Sequence, residues 1–407
     1  MPCPVASHGA VASAPAVAEG CPVYDVDLYG TDVLQDPYPH YRALRDFGAA
    51  VWLPQNQLYA IARFDDVRAA LRNPAVFSSA AGVAANDAVN AMSQGTTLAS
   101  DAPLHDRLRA IIAAPLMPRA LEEVKPQIRA EARRLVEDLV GRGSFDAVTD
   151  LAQHLPLTIV SELVGLEDYG RGSMLRWAAA TFNVLGTMNE RGSAAMVDVQ
   201  EMRRYLGGAA IRDRLRPDSW GERIFQAADR GEVEPERCPV LMRDYLGPSL
   251  DTTIFATANL MLLFGRHPDQ WDLVRADPAL IPNAINEALR LESPVRGFTR
   301  SLTADTVVGD VTLPAGSRAV LLYASANRDE RKWADAETFD VRRRANDHLG
   351  FGNGTHMCAG LHLARLEMAA LLEVLVEKVA RFTIGEPELA LNNVLRGLAS
   401  LPVRVTA

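Results

Sequence analysis

The run Phe351-Gly352-Asn353-Gly354-Thr355-His356-Met357-Cys358-Ala359-Gly360, leading straight into the amphipathic stretch Leu361 to Val379, restricts this chain more than any other feature. Glycines 352, 354 and 360 let the backbone bend around one sulfur, so that amide hydrogens can face it. The helix that starts just after the cysteine sets its positive end there and favours the thiolate. A loop of this kind is built to present a metal ligand. The competing reading is a buried thiol in an ordinary turn. Against it, Phe, Gly, Gly, His, Cys and Gly at fixed spacing would coincide by chance at roughly one site in 10⁷ to 10⁸.

The rest of the chain narrows what the metal serves. A formal charge of −9 over 407 residues argues against nucleic acid or an anionic membrane as partner, because both need a positive field opposite phosphate. Cys3, Cys21, Cys238 and Cys358 have no paired spacing, which disfavours a disulfide framework and points to a reducing cytoplasm. The first Lys or Arg is Arg42, so the charged start of a secretory signal is missing, and no apolar run approaches the roughly 18 residues that cross a bilayer. Residues 1–25 read as a mobile tail and 26–407 as one catalytic unit, since no Gly/Ser-rich linker or repeat divides them.

Helical spacing of apolar residues recurs over Arg107 to Val140, Leu151 to Leu163, Ala195 to Ala228 and Pro239 to Phe264. Leu58 to Arg63 and Ala319 to Tyr323 read as strands. The expected class is therefore mainly α with small β-sheets.

With Glu287-Ala288-Leu289-Arg290 about 70 residues before the cysteine loop, the chain resembles the cytochrome P450 superfamily, specifically its soluble bacterial members, over nearly its whole length. The resemblance implies a triangular prism with a long central I helix and haem b held between the I and L helices. It implies that Cys358 ligates the iron, within a loop framed by Phe351 and Gly360, and that Glu287 and Arg290 pair with an arginine of the segment Phe339, Asp340, Arg343. His105 and Arg109, four apart on one helix face, match family positions that bind haem propionates, as do Arg300 and His356. A carboxylate buried beside apolar haem needs such donors.

The same resemblance assigns Asp251 and Thr252, in Arg243-Asp244-Tyr245-Leu246-Gly247-Pro248-Ser249-Leu250-Asp251-Thr252-Thr253, to delivering the protons that dioxygen cleavage consumes. The family's usual Ala-Gly before this pair is Pro248-Ser249 here, and a kink in the helix is expected at the proline. With no dinucleotide fingerprint and no cluster cysteines, electrons are expected from an iron-sulfur ferredoxin and its reductase, with Arg342, Arg344 and Arg365 as candidate contacts.

Asn183, the segment Val295-Arg296-Gly297-Phe298 and the stretch Leu391 to Leu398 resemble a branch that oxidises para-substituted benzoates, often by O-demethylation. Phe182, Leu185, Val295 and Phe298 are expected to wall a flat aromatic pocket that also includes Asp244, Gly247 and Pro248. That branch holds the substrate carboxylate with an arginine in the B-C loop and serines on the I helix. Here Phe77 to Asn86 has no arginine, and Asp244 and Gly247 replace the serines. A neutral aromatic such as a methoxyphenol or alkylphenol is expected, unless Arg296 points into the pocket. The alternatives are a para-substituted benzoate monooxygenase and a peroxide-driven peroxygenase; a non-enzymatic haem sensor would need no proton relay.

Overall fold

The computed structural model describes residues 17–208 and 210–406. The molecule is mainly helical, with small sheets at its margins. Eight helices position the site: α1 (Leu104–Ala113), α2 (Lys125–Arg142), α3 (Asp168–Leu185), α4 (Glu190–Leu206), α5 (Cys238–Leu246), α6 (Asp251–Arg266), α7 (Ile281–Leu291) and α8 (Leu361–Lys378). Helix α6 runs through the main core with 13 of its 16 residues buried, so it is apolar on all sides instead of along one stripe.

The periodic stretches break where their prolines and glycines dictate. Arg107 to Val140 divides at Pro115 and Pro118 into α1, a short turn and α2, which ends on Gly143 in the left-handed region at φ +75°. Leu151 to Leu163 is wound more widely than an α-helix over Ala147–Ala152 and Pro156–Val160, with Gln153 N–H donating to Val148 O, five residues back, at 2.9 Å. Ala195 to Ala228 breaks after α4 at Gly207 and resumes at Trp220–Asp229.

One correction bears on function. The long central helix expected from the resemblance is two helices, α5 and α6, separated by the non-helical Gly247-Pro248-Ser249-Leu250. Gly247 N–H still donates to Arg243 O at 2.9 Å, but Pro248 has no hydrogen to give the carbonyl of Asp244 and its ring crowds that oxygen. The proline produces a break where a kink was expected.

The five-stranded sheet runs Val51–Leu53, Leu58–Ile61, Arg318–Leu321, Phe298–Leu302, Phe77–Ser78, with one parallel pair, Leu58–Ile61 beside Arg318–Leu321. Pairing of Arg300 with Ala319 fixes the register that holds the Arg300 strand. Residues 1–16 of the expected tail lie outside the described residues. The segment Val17 to Asp25 is anchored instead: Ala18 N–H donates to the Tyr59 hydroxyl at 2.8 Å, and Val23 bridges to Trp52.

Glu287 and Arg290 sit fully buried on α7 and pair through two hydrogen bonds of 2.7 and 2.8 Å. Arg343 adds a third at 2.9 Å, as the resemblance implied, and Arg290 also donates to the carbonyls of Asn327 and Ala336. Every donor and acceptor facing inward is used, which is the condition for burying charge.

Candidate active site

A cavity of about 290 Å³ lies between the Cys358 loop and the start of α8 on one side and α3, α5 and α6 on the other. The loop is folded as its glycines require: Gly352 and Gly354 have φ +70° and +68°, and a Cβ on Gly354 would stand 2.4 Å from Leu71 O. Gly360 has φ −85° and a Cβ there would sit 3.9 Å from Cys358 Sγ, an ordinary contact, so neither its backbone nor its space requires glycine. Cys358 N–H donates to Phe351 O at 2.8 Å, closing the loop. Burial pushes the Cys358 thiol up, while the amides of Gly360 and Leu361 and the charges of Arg109 and Arg365 pull it down. The upward push wins, so the helix end does not by itself keep the sulfur deprotonated; a bound cation has to complete that.

One edge of the cavity is cationic. His105 and His356 pack ring to ring at 4.2 Å, and Nε2 of each is buried without a hydrogen-bond partner among the described residues. Arg109 donates to Met357 O and Arg300 to Thr299 O, yet neither has a carboxylate partner among the described residues. Burial together with Arg300, His105 and Arg109 lowers the His356 pKa to about 3. The buried Arg300 guanidinium, the half-buried Arg109 guanidinium and two open imidazole nitrogens call for acidic groups at this edge. Among the described residues no three His, Cys, Asp or Glu side chains converge to cage an ion. A lone thiolate with cations at one rim fits a flat, largely apolar metal macrocycle that brings its own equatorial ligands and carries acids at one edge.

Opposite Cys358, the break between α5 and α6 exposes Ser249, Thr252 and Thr253 to the cavity. The Thr252 hydroxyl donates to Pro248 O at 2.8 Å, a carbonyl that the break has left out of the helical ladder. Asp251 is buried behind this wall and does not line the cavity; burial alone raises its carboxyl to about 7.

Phe182, Leu185, Val295 and Phe298 line the cavity, as do Asp244 and Pro248. Gly247 does not: a Cβ there would meet Thr181 at 3.1 Å, so its smallness lets α5 lie close against α3. Arg296 stays out of the cavity, because its guanidinium is spent on the Tyr41 hydroxyl and the carbonyls of Asn393 and Leu28. Asn183 works as a latch, accepting from Asn393 N–H at 3.1 Å and from Asn393 Nδ2 at 2.9 Å and so tying the end of α3 to the turn near the C-terminus. Wall residues that the sequence reading missed include Thr97, Arg243 and Glu367. Glu367, pushed up to about 8 by burial, was readable only as an acid interrupting the apolar run of α8.

The model of the family described as cytochrome P450 matches residues 263–388. Among curated proteins, the chain is 36% identical to cytochrome P450 CYP199A2 of Rhodopseudomonas palustris over 95% of each chain. It is 30% identical to the beta-dihydromenaquinone-9 omega-hydroxylase of Mycobacterium tuberculosis, covering 94% of this chain and 78% of that one. Among solved structures, cytochrome P450 CREJ in complex with (4-ethylphenyl) dihydrogen phosphate superposes with a TM-score of 0.82 at 26% identity, over 92% of this chain and 98% of that one. CYP108D1 from Novosphingobium aromaticivorans superposes with a TM-score of 0.79 at 29% identity, over 93% and 96%. The thiolate floor, the cationic rim and these likenesses agree: the chain belongs to the cytochrome P450 family, binds haem b as that family does, and is a monooxygenase.

Proposed function

We propose that this monooxygenase hydroxylates or O-demethylates a small neutral aromatic, with electrons supplied by an iron-sulfur ferredoxin and its reductase. The reading rests on the cavity itself, whose aromatic and aliphatic wall ends in the carboxyl of Asp244. Cys358 Sγ would hold the haem iron, and His105, Arg109, Arg300 and His356 would hold the propionates at the cationic rim. Bound there, the haem supplies the dioxygen activation that consumes two electrons and two protons. Thr252 stands at the wall with its hydroxyl oriented by Pro248 O, and Asp251 behind it holds a proton that it can give up near neutral pH. Phe182, Leu185, Val295 and Phe298 orient the ring and exclude water.

A titration of the ferric holoenzyme with neutral and anionic aromatics tests the substrate class, since loss of the iron-bound water shifts the Soret band. Neutral methoxyarenes should bind more tightly than 4-methoxybenzoate; the reverse order refutes the proposal. Turnover with ferredoxin, reductase and NADH should exceed turnover with peroxide, and Thr252→Ala should divert NADH into peroxide. Unchanged coupling would remove Thr252 from the relay.

A second reading, an anionic para-substituted arene, is favoured by Arg243, which lines the cavity without an ion-pair partner among the described residues. The aryl phosphate bound to the similar CREJ structure points the same way.

A further inference from the structure

We infer that Asp244, with Arg243 beside it on α5, determines the specificity of this cavity and selects aromatics carrying a hydroxyl, a group that donates and accepts at once. The inference deepens, and rests on, the aromatic reading above. Asp244 lines the cavity, and its Oδ2 is buried with no hydrogen-bond partner among the described residues. Arg243 lines the same cavity, and its guanidinium makes no hydrogen bond or ion pair among the described residues. Two adjacent ionisable side chains, each half-buried and each left with hydrogen-bonding capacity at the cavity, are better satisfied when a ligand completes them.

Their chemistry restricts that ligand. A guanidinium only donates, and a carboxyl accepts through its carbonyl oxygen whether ionised or not. A phenolic hydroxyl gives its hydrogen to Asp244 and accepts one from Arg243. An ether or alkyl group offers no hydrogen to the accepting oxygen of Asp244, and neither does a carboxylate. Burial raises the Asp244 carboxyl against the opposing pull of the Arg243 charge and of hydrogen bonds from Thr97, and in either protonation state an oxygen is left that accepts. A site built around a hydroxyl rejects analogues that lack it far more strongly than an apolar pocket discriminates size.

The test is a Soret titration of the holoenzyme with 4-methoxyphenol, 1,4-dimethoxybenzene and 4-methoxybenzoate. Wild type should bind the phenol at least about tenfold more tightly than the diether. Asp244→Leu should bring that ratio to about one while the diether still binds, and Arg243→Met should lower it too; each variant is first checked by its ferrous carbonyl spectrum. Where neither variant folds, the wild-type ranking decides alone: a phenol-to-diether ratio near one, or tightest binding of the benzoate, overturns the role of Asp244 and leaves the aromatic reading standing. A ratio that survives Asp244→Leu also overturns it. If none of the three shifts the Soret band, both readings fall together.

Discussion

Two acid-arginine sets in this molecule, one fully buried and one half-buried at the cavity, are treated in opposite ways. Glu287, Arg290 and Arg343 saturate one another and the nearby carbonyls, far from any open space. Asp244 and Arg243 face the cavity with hydrogen-bonding capacity unspent. The difference separates a structural charge cluster from one open to a ligand, because the unspent capacity of Asp244 and Arg243 faces a cavity that a ligand can enter.

Breaking the saturated set should have the largest effect. Glu287→Gln preserves shape but leaves Arg290 and Arg343 without their anion, and should cost about 3–5 kcal/mol in denaturant or thermal unfolding of the holoenzyme. A loss below about 1 kcal/mol would mean that the cluster is not what holds α7 to the segment carrying Arg343.

Asp251 sharpens the comparison, being a buried acid with no charged partner acting on it. Its pKa is raised from 3.8 to about 7 in the fold. A raised folded pKa means stability that is present at low pH and lost as pH rises between those two values, on the order of 2–3 kcal/mol from pH 5 to pH 7. Asp251→Asn should therefore gain on wild type by about 3 kcal/mol in going from pH 5 to pH 8. Parallel pH profiles for the two proteins would contradict the raised carboxyl.

The smallest change is expected at the unsaturated set. Asp244→Asn removes a buried group whose Oδ2 already lacks a partner, and ligand-free stability should stay within about 1 kcal/mol of wild type or rise. A loss comparable to that of Glu287→Gln would show that Asp244 is a structural charge of the same kind as Glu287.

How legible these regions were in the sequence follows from how local each one is. The Cys358 loop is contiguous, and its glycines encode its turns directly. Glu287 and Arg290 lie one turn apart, and so do His105 and Arg109, so helical spacing alone brought each pair together. Arg243 was not legible as a wall residue, because its direction depends on how α5 rolls against α3, and that is set by the close contact of Gly247 with Thr181. Pro248 was read as a kink, whereas four residues leave the helix; the proline states that a hydrogen bond is lost, not how far the chain unwinds. The hold of Ala18 on Tyr59 spans 41 residues and leaves no local trace, so the ordered part of the tail read as mobile. Arg296 could only be placed by its three partners, which keep it out of the cavity.

The account depends most on sulfur ligation of haem iron by Cys358. Reducing the folded protein under carbon monoxide reads that bond directly. A strongly red-shifted Soret band, absent in Cys358→His, is the expected result; an unshifted, imidazole-like band from correctly folded wild-type protein would contradict it.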